Sequence, residues 1–172
     1  MDAAIDSWHR ELPDLDRPEF ELAKRAVRLE HLLEEALTRC VAPWHLAIAD
    51  FYVLSILRTA GAPYELRPTD IRNQLLLTSG GIANIVNRLE RMTLVQRIPD
   101  PADGRSSWVR LTPDGIAVAE ETIRAWTTVQ EQMFAGVDPQ LARQTSDALR
   151  TILLALGDRE PAGPAARHSA RP

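Results

Sequence analysis

Apolar positions recur at steps of three and four along most of the chain and switch to short extended runs over one stretch, a pattern that predicts a mainly α-helical fold with a small β element. From residue 18 to about 41, Leu22, Ala26, Leu29, Leu33, Ala36 and Cys40 mark one stripe of a long helix. Asp16-Arg17-Pro18-Glu19 supplies its acidic N-cap and the capping-box spacing. At 1.5 Å per residue such a helix runs roughly 36 Å. That exceeds what one small lobe can cover, so part of the stripe is expected to pack on a second copy of the chain. A short helix over 3–11 ends before Pro13. After Pro43, a helix from about 45 to 60 carries Leu46, Phe51, Val53, Leu54 and Leu57 and stops at Gly61.

Two short helices follow, Pro68 to Leu76 and Ser79 to Met92, with only Leu77 and Thr78 between them. Leu94 to Pro99 and Ser107 to Leu111 then read as strands flanking a turn-rich loop, Asp100-Pro101-Ala102-Asp103-Gly104-Arg105. Thr112-Pro113 starts another helix to about 135, and Asp138-Pro139 starts one carrying Leu141, Thr145, Leu149, Ile152 and Leu156 up to Gly157. Two helices joined by a tight turn and followed by a hairpin is the order of a winged helix-turn-helix. The expected organisation is an N-terminal extension and dimerisation arm (1–45), a winged helix-turn-helix lobe with a two-stranded β wing (46–112), C-terminal dimerisation helices (113–157) and a disordered tail (158–172).

In that architecture the second short helix enters the major groove. Placing Ile82, Ile85, Val86 and Leu89 inward leaves Gly80, Asn84, Asn87 and Arg91 on the opposite face, with Arg88 at its flank. Asn can pair with adenine N6 and N7, Gly admits the backbone close to the duplex, and Thr78 can cap the helix beside a phosphate. The same face could be an ordinary solvated one, so the charge distribution matters. The chain is net −4 overall, yet residues 67–110 hold seven Arg against four acidic side chains, a net +3 that leaves −7 for the flanks. That middle segment suits a polyanion. Because 19 of the 20 basic residues are Arg, no single Arg is diagnostic by its type alone.

The run Leu75-Leu76-Leu77-Thr78-Ser79-Gly80-Gly81-Ile82-Ala83-Asn84, then Asn87-Arg88-Leu89-Glu90, the Asp103-x-Arg105 wing, and Val109-Arg110-Leu111-Thr112-Pro113-Asp114-Gly115 closely resemble the MarR family of transcription regulators. The resemblance covers 18–156 in element order and is strongest from 66 to 115. It implies a homodimer whose terminal helices intertwine and whose two lobes read a palindromic double-stranded DNA operator. It also implies a small aromatic or anionic effector that releases the DNA. By the same resemblance Arg105 is the wing arginine, and Thr78, Ser79, Gly80 and Asn84 fall on groove-facing positions. Arg67 stands where many members cap a helix with Ser or Thr, so that helix is expected to start less firmly. Trp8 followed by Pro13-Asp14-Leu15-Asp16 is similar to the N-terminal extension of one branch, some of whose members respond to urate. Tyr52, Thr59 and Ile85 stand where those members carry charged ligands, which speaks against urate.

Trp8, Trp44, Tyr52 and Arg58 are candidates for an aromatic-acid pocket between arm and lobe, the alternative being that the aromatics are core and interface packing. Cys40, the one cysteine, could make the regulator redox-responsive, but it sits at the wrong end of its helix for the peroxide-sensing branch and free cysteine is commonly buried. The four histidines show no metal-ligand spacing, and no phosphate loop or nucleophile motif occurs, so neither an enzyme nor a cofactor is expected. A winged helix used only for protein interaction is the other class of function. Such a face would be expected to show exposed Leu, Phe or Tyr rather than Gly and Asn. Without an apolar membrane-length run or a signal-like start, a cytoplasmic protein is the expectation.

Overall fold

The computed structural model describes residues 2–12, 14, 17–75, 79–100 and 103–158. Thr78, the start of the wing loop at 101–102 and the tail from 159 lie outside the described residues. Two compact units are distinguished, Met1–Arg39 and Cys40–Pro172.

In the first, α1 (Asp2–Glu11) precedes the long α2 (Pro18–Val41). The apolar stripe of α2 changes character along its length: Ala36 and Leu37 are buried, whereas Leu22, Val27 and Leu32 are exposed. No single described helix is long and apolar enough to cross a membrane.

In the second unit a short 3-10 turn, Ala42–Trp44, follows α2 and ends on His45 in the left-handed region. The next helix, α3, is therefore Ile48–Thr59 and not 45–60. Pro43 and the turn at His45 redirect the chain, and Asp50 fixes the new start by accepting the Ala47 N–H at 2.8 Å. After Gly61 at φ +79°, the chain enters a two-residue strand, β1 (Glu65–Leu66), which the sequence pattern does not predict. Then come α4 (Pro68–Leu75), α5 (Ser79–Arg91), β2 (Val95–Asp100), β3 (Asp103–Leu111), α6 (Pro113–Met133) and α7 (Pro139–Ala155). The sheet order is β1-β3-β2, all antiparallel, with Val95 opposite Leu111 and Glu65 opposite Arg110. The wing hairpin is thus rooted in the lobe by a third strand.

Leu54, Leu57, Ile71, Val86, Leu89 and Val109 form the centre of the core, drawn from α3, α4, α5 and β3. The passage from sheet to α6 explains the Leu-Thr-Pro-Asp-Gly motif. Thr112 accepts the Gly115 N–H at 3.0 Å and donates its hydroxyl to the Thr93 carbonyl at 2.7 Å. A Cβ on Gly115 would lie 1.8 Å from the Leu94 carbonyl oxygen, so only glycine lets the first turn of α6 rest against the turn before β2. Asp138 caps α7 by accepting from Gln140 and Leu141. None of α7 is buried, although it is rich in leucine: Leu141, Leu153 and Leu154 are exposed, and Leu156, just beyond it, is 80% exposed.

Candidate nucleic-acid interface

The exposed face of α5 is set by its buried one. Ile82, Ile85, Val86 and Leu89 are all buried, as the 3.6-residue period requires, and Gly80, Asn84, Asn87 and Arg91 are exposed. A Cβ added to Gly80 meets nothing, so nothing in the lobe itself demands glycine there. Ser79 opens the helix and Arg105 lies in β3; the side chains of both lie outside the described residues.

Arg88 is placed differently from its neighbours. Its Nε and Nη2 donate to Oδ1 of Asp50 at 2.9 and 2.6 Å, and the Asp50 side chain is completely buried. Because the other oxygen of Asp50 accepts the Ala47 N–H, one carboxylate both starts α3 and ties it to α5. A buried carboxylate stripped of such partners is costly, which makes this an anchoring role for Arg88. Asn87 is also engaged. Its Oδ1 accepts from Arg97 Nη2 at 2.9 Å, while Glu90 pairs with the Arg97 guanidinium and accepts the Arg97 backbone N–H at 3.2 Å. Asn84 takes part in none of these bonds. Of the sequence-predicted residues on α5, the structure therefore separates Asn84 on the open face from Asn87 on the wing side and Arg88 on the core side.

Two further ion pairs hold the wing, one at the far end of β2 and one at its root. Arg67, whose backbone carbonyl accepts from Asp70 and Ile71 at the start of α4, does not cap that helix with its side chain. The guanidinium instead lies 4.8 Å from the centre of the Trp108 ring and donates to Asp100 at 2.7 Å. Arg110 pairs with Glu65 at 2.6 Å, binding β3 to the unforeseen β1.

The effector candidates fall in both units. Trp8 is exposed on α1 in the first. In the second, Trp44 donates its indole N–H to Glu121 at 3.1 Å, and Tyr52 is exposed with its ring 5.7 Å from that of the buried Phe51. Arg58 donates through Nε and Nη2 to Glu120 at 2.9 and 2.7 Å and stacks on Tyr64 at 4.9 Å. The Glu120 hydrogen bond raises the Arg58 pKa, and the same bond lowers that of Glu120. The cation expected to attract an acid is thus already matched. Burial pushes the Cys40 thiol up, away from the reactive thiolate. No group of three metal-binding side chains occurs among the described residues.

Sequence reasoning missed Asp50, Glu90, Arg97 and Glu120. Asp50 carried a signal in its position three residues after the Ala47 cap, obscured because Ala is not a capping side chain. The other three pair across 7 to 62 positions of chain, a separation that no local pattern records.

A MarR family model matches residues 46–106 of this chain. The HTH-type transcriptional regulator PecS of Dickeya dadantii is 29% identical over 119 residues, 69% of this chain and 72% of PecS. Among solved structures, a cysteine-to-serine variant of MarR from E. coli complexed with operator DNA superposes with a TM-score of 0.70 at 20% identity, covering 85% of this chain and 97% of that one. An organohalide-sensing transcriptional regulator in its 2,4-dichlorophenol-bound form gives a TM-score of 0.71 at 19% identity, covering 84% of each chain.

Proposed function

Because the chain belongs to the MarR family of winged-helix transcription regulators, we propose that it is a repressor that binds a palindromic double-stranded operator as a homodimer and is released by a small aromatic effector. The observation that carries the reading is α5 itself, buried along Ile82, Ile85, Val86 and Leu89 and exposing Gly80, Asn84, Asn87 and Arg91 beside the hairpin. An α-helix of that width fits the major groove, and amides and glycine are what base edges and a close backbone approach call for. Asn84 reads bases, and Arg105 with Thr78 and Ser79 positions the lobe on phosphates. Arg88 serves by holding α5 in place. The exposed Leu22, Val27 and Leu32 on α2, with the uncovered leucines of α7, are the surface a second copy would bury, and a two-fold dimer presents two recognition helices to a palindrome.

The effector residues proposed in the second unit are Trp44, Tyr52 and Arg58; Trp8, in the first, is a separate aromatic candidate. Since Glu120 already satisfies Arg58, a phenol or other weakly charged aromatic suits these residues better than a strong acid. Redox sensing through Cys40 is disfavoured by its raised pKa, and a protein-docking role by the lack of large apolar side chains on the open face of α5.

Gly80→Ala tests the reading without disturbing the fold, because the added methyl meets nothing and alanine favours the helix by up to about 1 kcal/mol. The variant is expected to melt no lower than the parent yet to lose operator affinity at least tenfold. Unchanged affinity would remove the recognition helix from the groove.

A further inference from the structure

We propose that Asn87 is a specificity-determining residue that reads its base pair chiefly as a hydrogen-bond donor, because Arg97 draws its carbonyl oxygen toward the wing strand. The inference rests on the DNA-binding reading above and deepens it. A guanidinium carries donors and no acceptor, so the amide atom facing Arg97 Nη2 at 2.9 Å must be the oxygen. Arg97 is itself immobilised, its guanidinium on Glu90 and its backbone N–H donating to the same carboxylate. The charge-assisted bond to Asn87 therefore comes from a group that a base would not easily displace.

Bidentate recognition of adenine needs both amide atoms on one base edge, the oxygen taking N6–H and the nitrogen giving to N7. With Oδ1 turned to the wing strand and one of its two lone pairs taken by Arg97, Asn87 offers chiefly its NH2. Guanine N7 and O6, thymine O4 and adenine N7 all accept such a bond, whereas the cytosine edge presents only a donor. The expected preference at this pair is guanine or thymine over cytosine on the contacted strand, with no premium on adenine. Arg97 in β2 thus sets how a side chain on α5 reads DNA, and removing it is expected to add a specificity.

Selection from a randomised operator by the full-length protein tests this, using the wild type, Asn87→Ala, Asn84→Ala and Arg97→Met. The pair read by Asn87 is the one whose preference flattens in Asn87→Ala. There the wild type is expected to disfavour cytosine without favouring adenine over guanine, and Arg97→Met to gain adenine by at least about fivefold, the low end for one good bidentate pair. A second measurement needs only the wild type. With adenine at that pair, removing the N6 amine (purine) is expected to leave affinity unchanged, and removing N7 (7-deazaadenine) to weaken it. Loss of affinity with purine, an adenine requirement in the wild type, or no pair that responds to Asn87→Ala while Asn84→Ala does alter selection, would each overturn the proposal. If the wild type selects no sequence at all, the operator-binding reading fails instead.

Discussion

Asp50 and Arg88 join two helices through one carboxylate oxygen, with Arg88 Nε and Nη2 at 2.9 and 2.6 Å from an Asp50 side chain that solvent does not reach. Since α5 carries the exposed Asn84 face, this pair sets the orientation of that face relative to α3. Arg88→Ala leaves a buried charge without its partner and is expected to destabilise the chain by about 3 kcal/mol, read by urea unfolding. It should weaken operator binding while leaving the salt dependence of the residual binding unchanged, because an anchoring arginine releases no counterions. A slope smaller by about one per half-site would instead make Arg88 a phosphate contact.

The turn before β2 yields a prediction with two signs. Gly115→Ala forces a methyl against the Leu94 carbonyl and is expected to cost on the order of 3 kcal/mol. Thr93, a β-branched residue at φ +60°, lies in the same turn, and Thr93→Gly relieves its backbone and is expected to stabilise by about 1 kcal/mol. Thermal melts of both variants check this, and a stable Gly115→Ala protein would contradict the close approach.

Most of the fold was legible in the sequence for a local reason. The buried face of α5, the Thr112 and Asp138 caps and the hairpin each depend on residues a few positions apart, where period and capping chemistry act. Two-residue β1 had no such period, since its identity comes from pairing with Val109 and Arg110 more than forty positions away. The site was legible as a face and not as a network. Nothing in the run Asn84-Ile85-Val86-Asn87-Arg88 shows that Asn87 is held by the wing strand and Arg88 by α3.

Leu154 tests the dimer without confounding it with unfolding, because the residue is 48% exposed in the single chain. A glutamate there costs the protomer little but would be buried in a two-fold interface built from α7. Leu154→Glu is expected to sediment as a folded monomer with an unchanged helical circular dichroism spectrum. If it stays a tight dimer, α7 is not part of the interface.

In the proposed effector site, Glu120 competes with an acidic ligand for Arg58. Its pKa is lowered by Arg58, so the pair stabilises the fold above the ordinary carboxylate range and that contribution is lost as pH falls through the acid range. Glu120→Gln is expected to flatten the acid limb of the melting profile and to strengthen binding of aryl carboxylates, followed by tryptophan fluorescence, with phenols little affected. Equal gains for phenols and carboxylates would show that the guanidinium is not the group contacted.

The proposed function requires two copies of α5 to enter successive major grooves of a specific duplex. Hydroxyl-radical footprinting of the purified protein on genomic fragments that it selects measures this directly. Two protected tracts on one face of the DNA, related by a palindrome and separated by one helical turn of about 34 Å, are the result expected. Fragments no more enriched than bulk DNA, or a single tract without a symmetric mate, would contradict it.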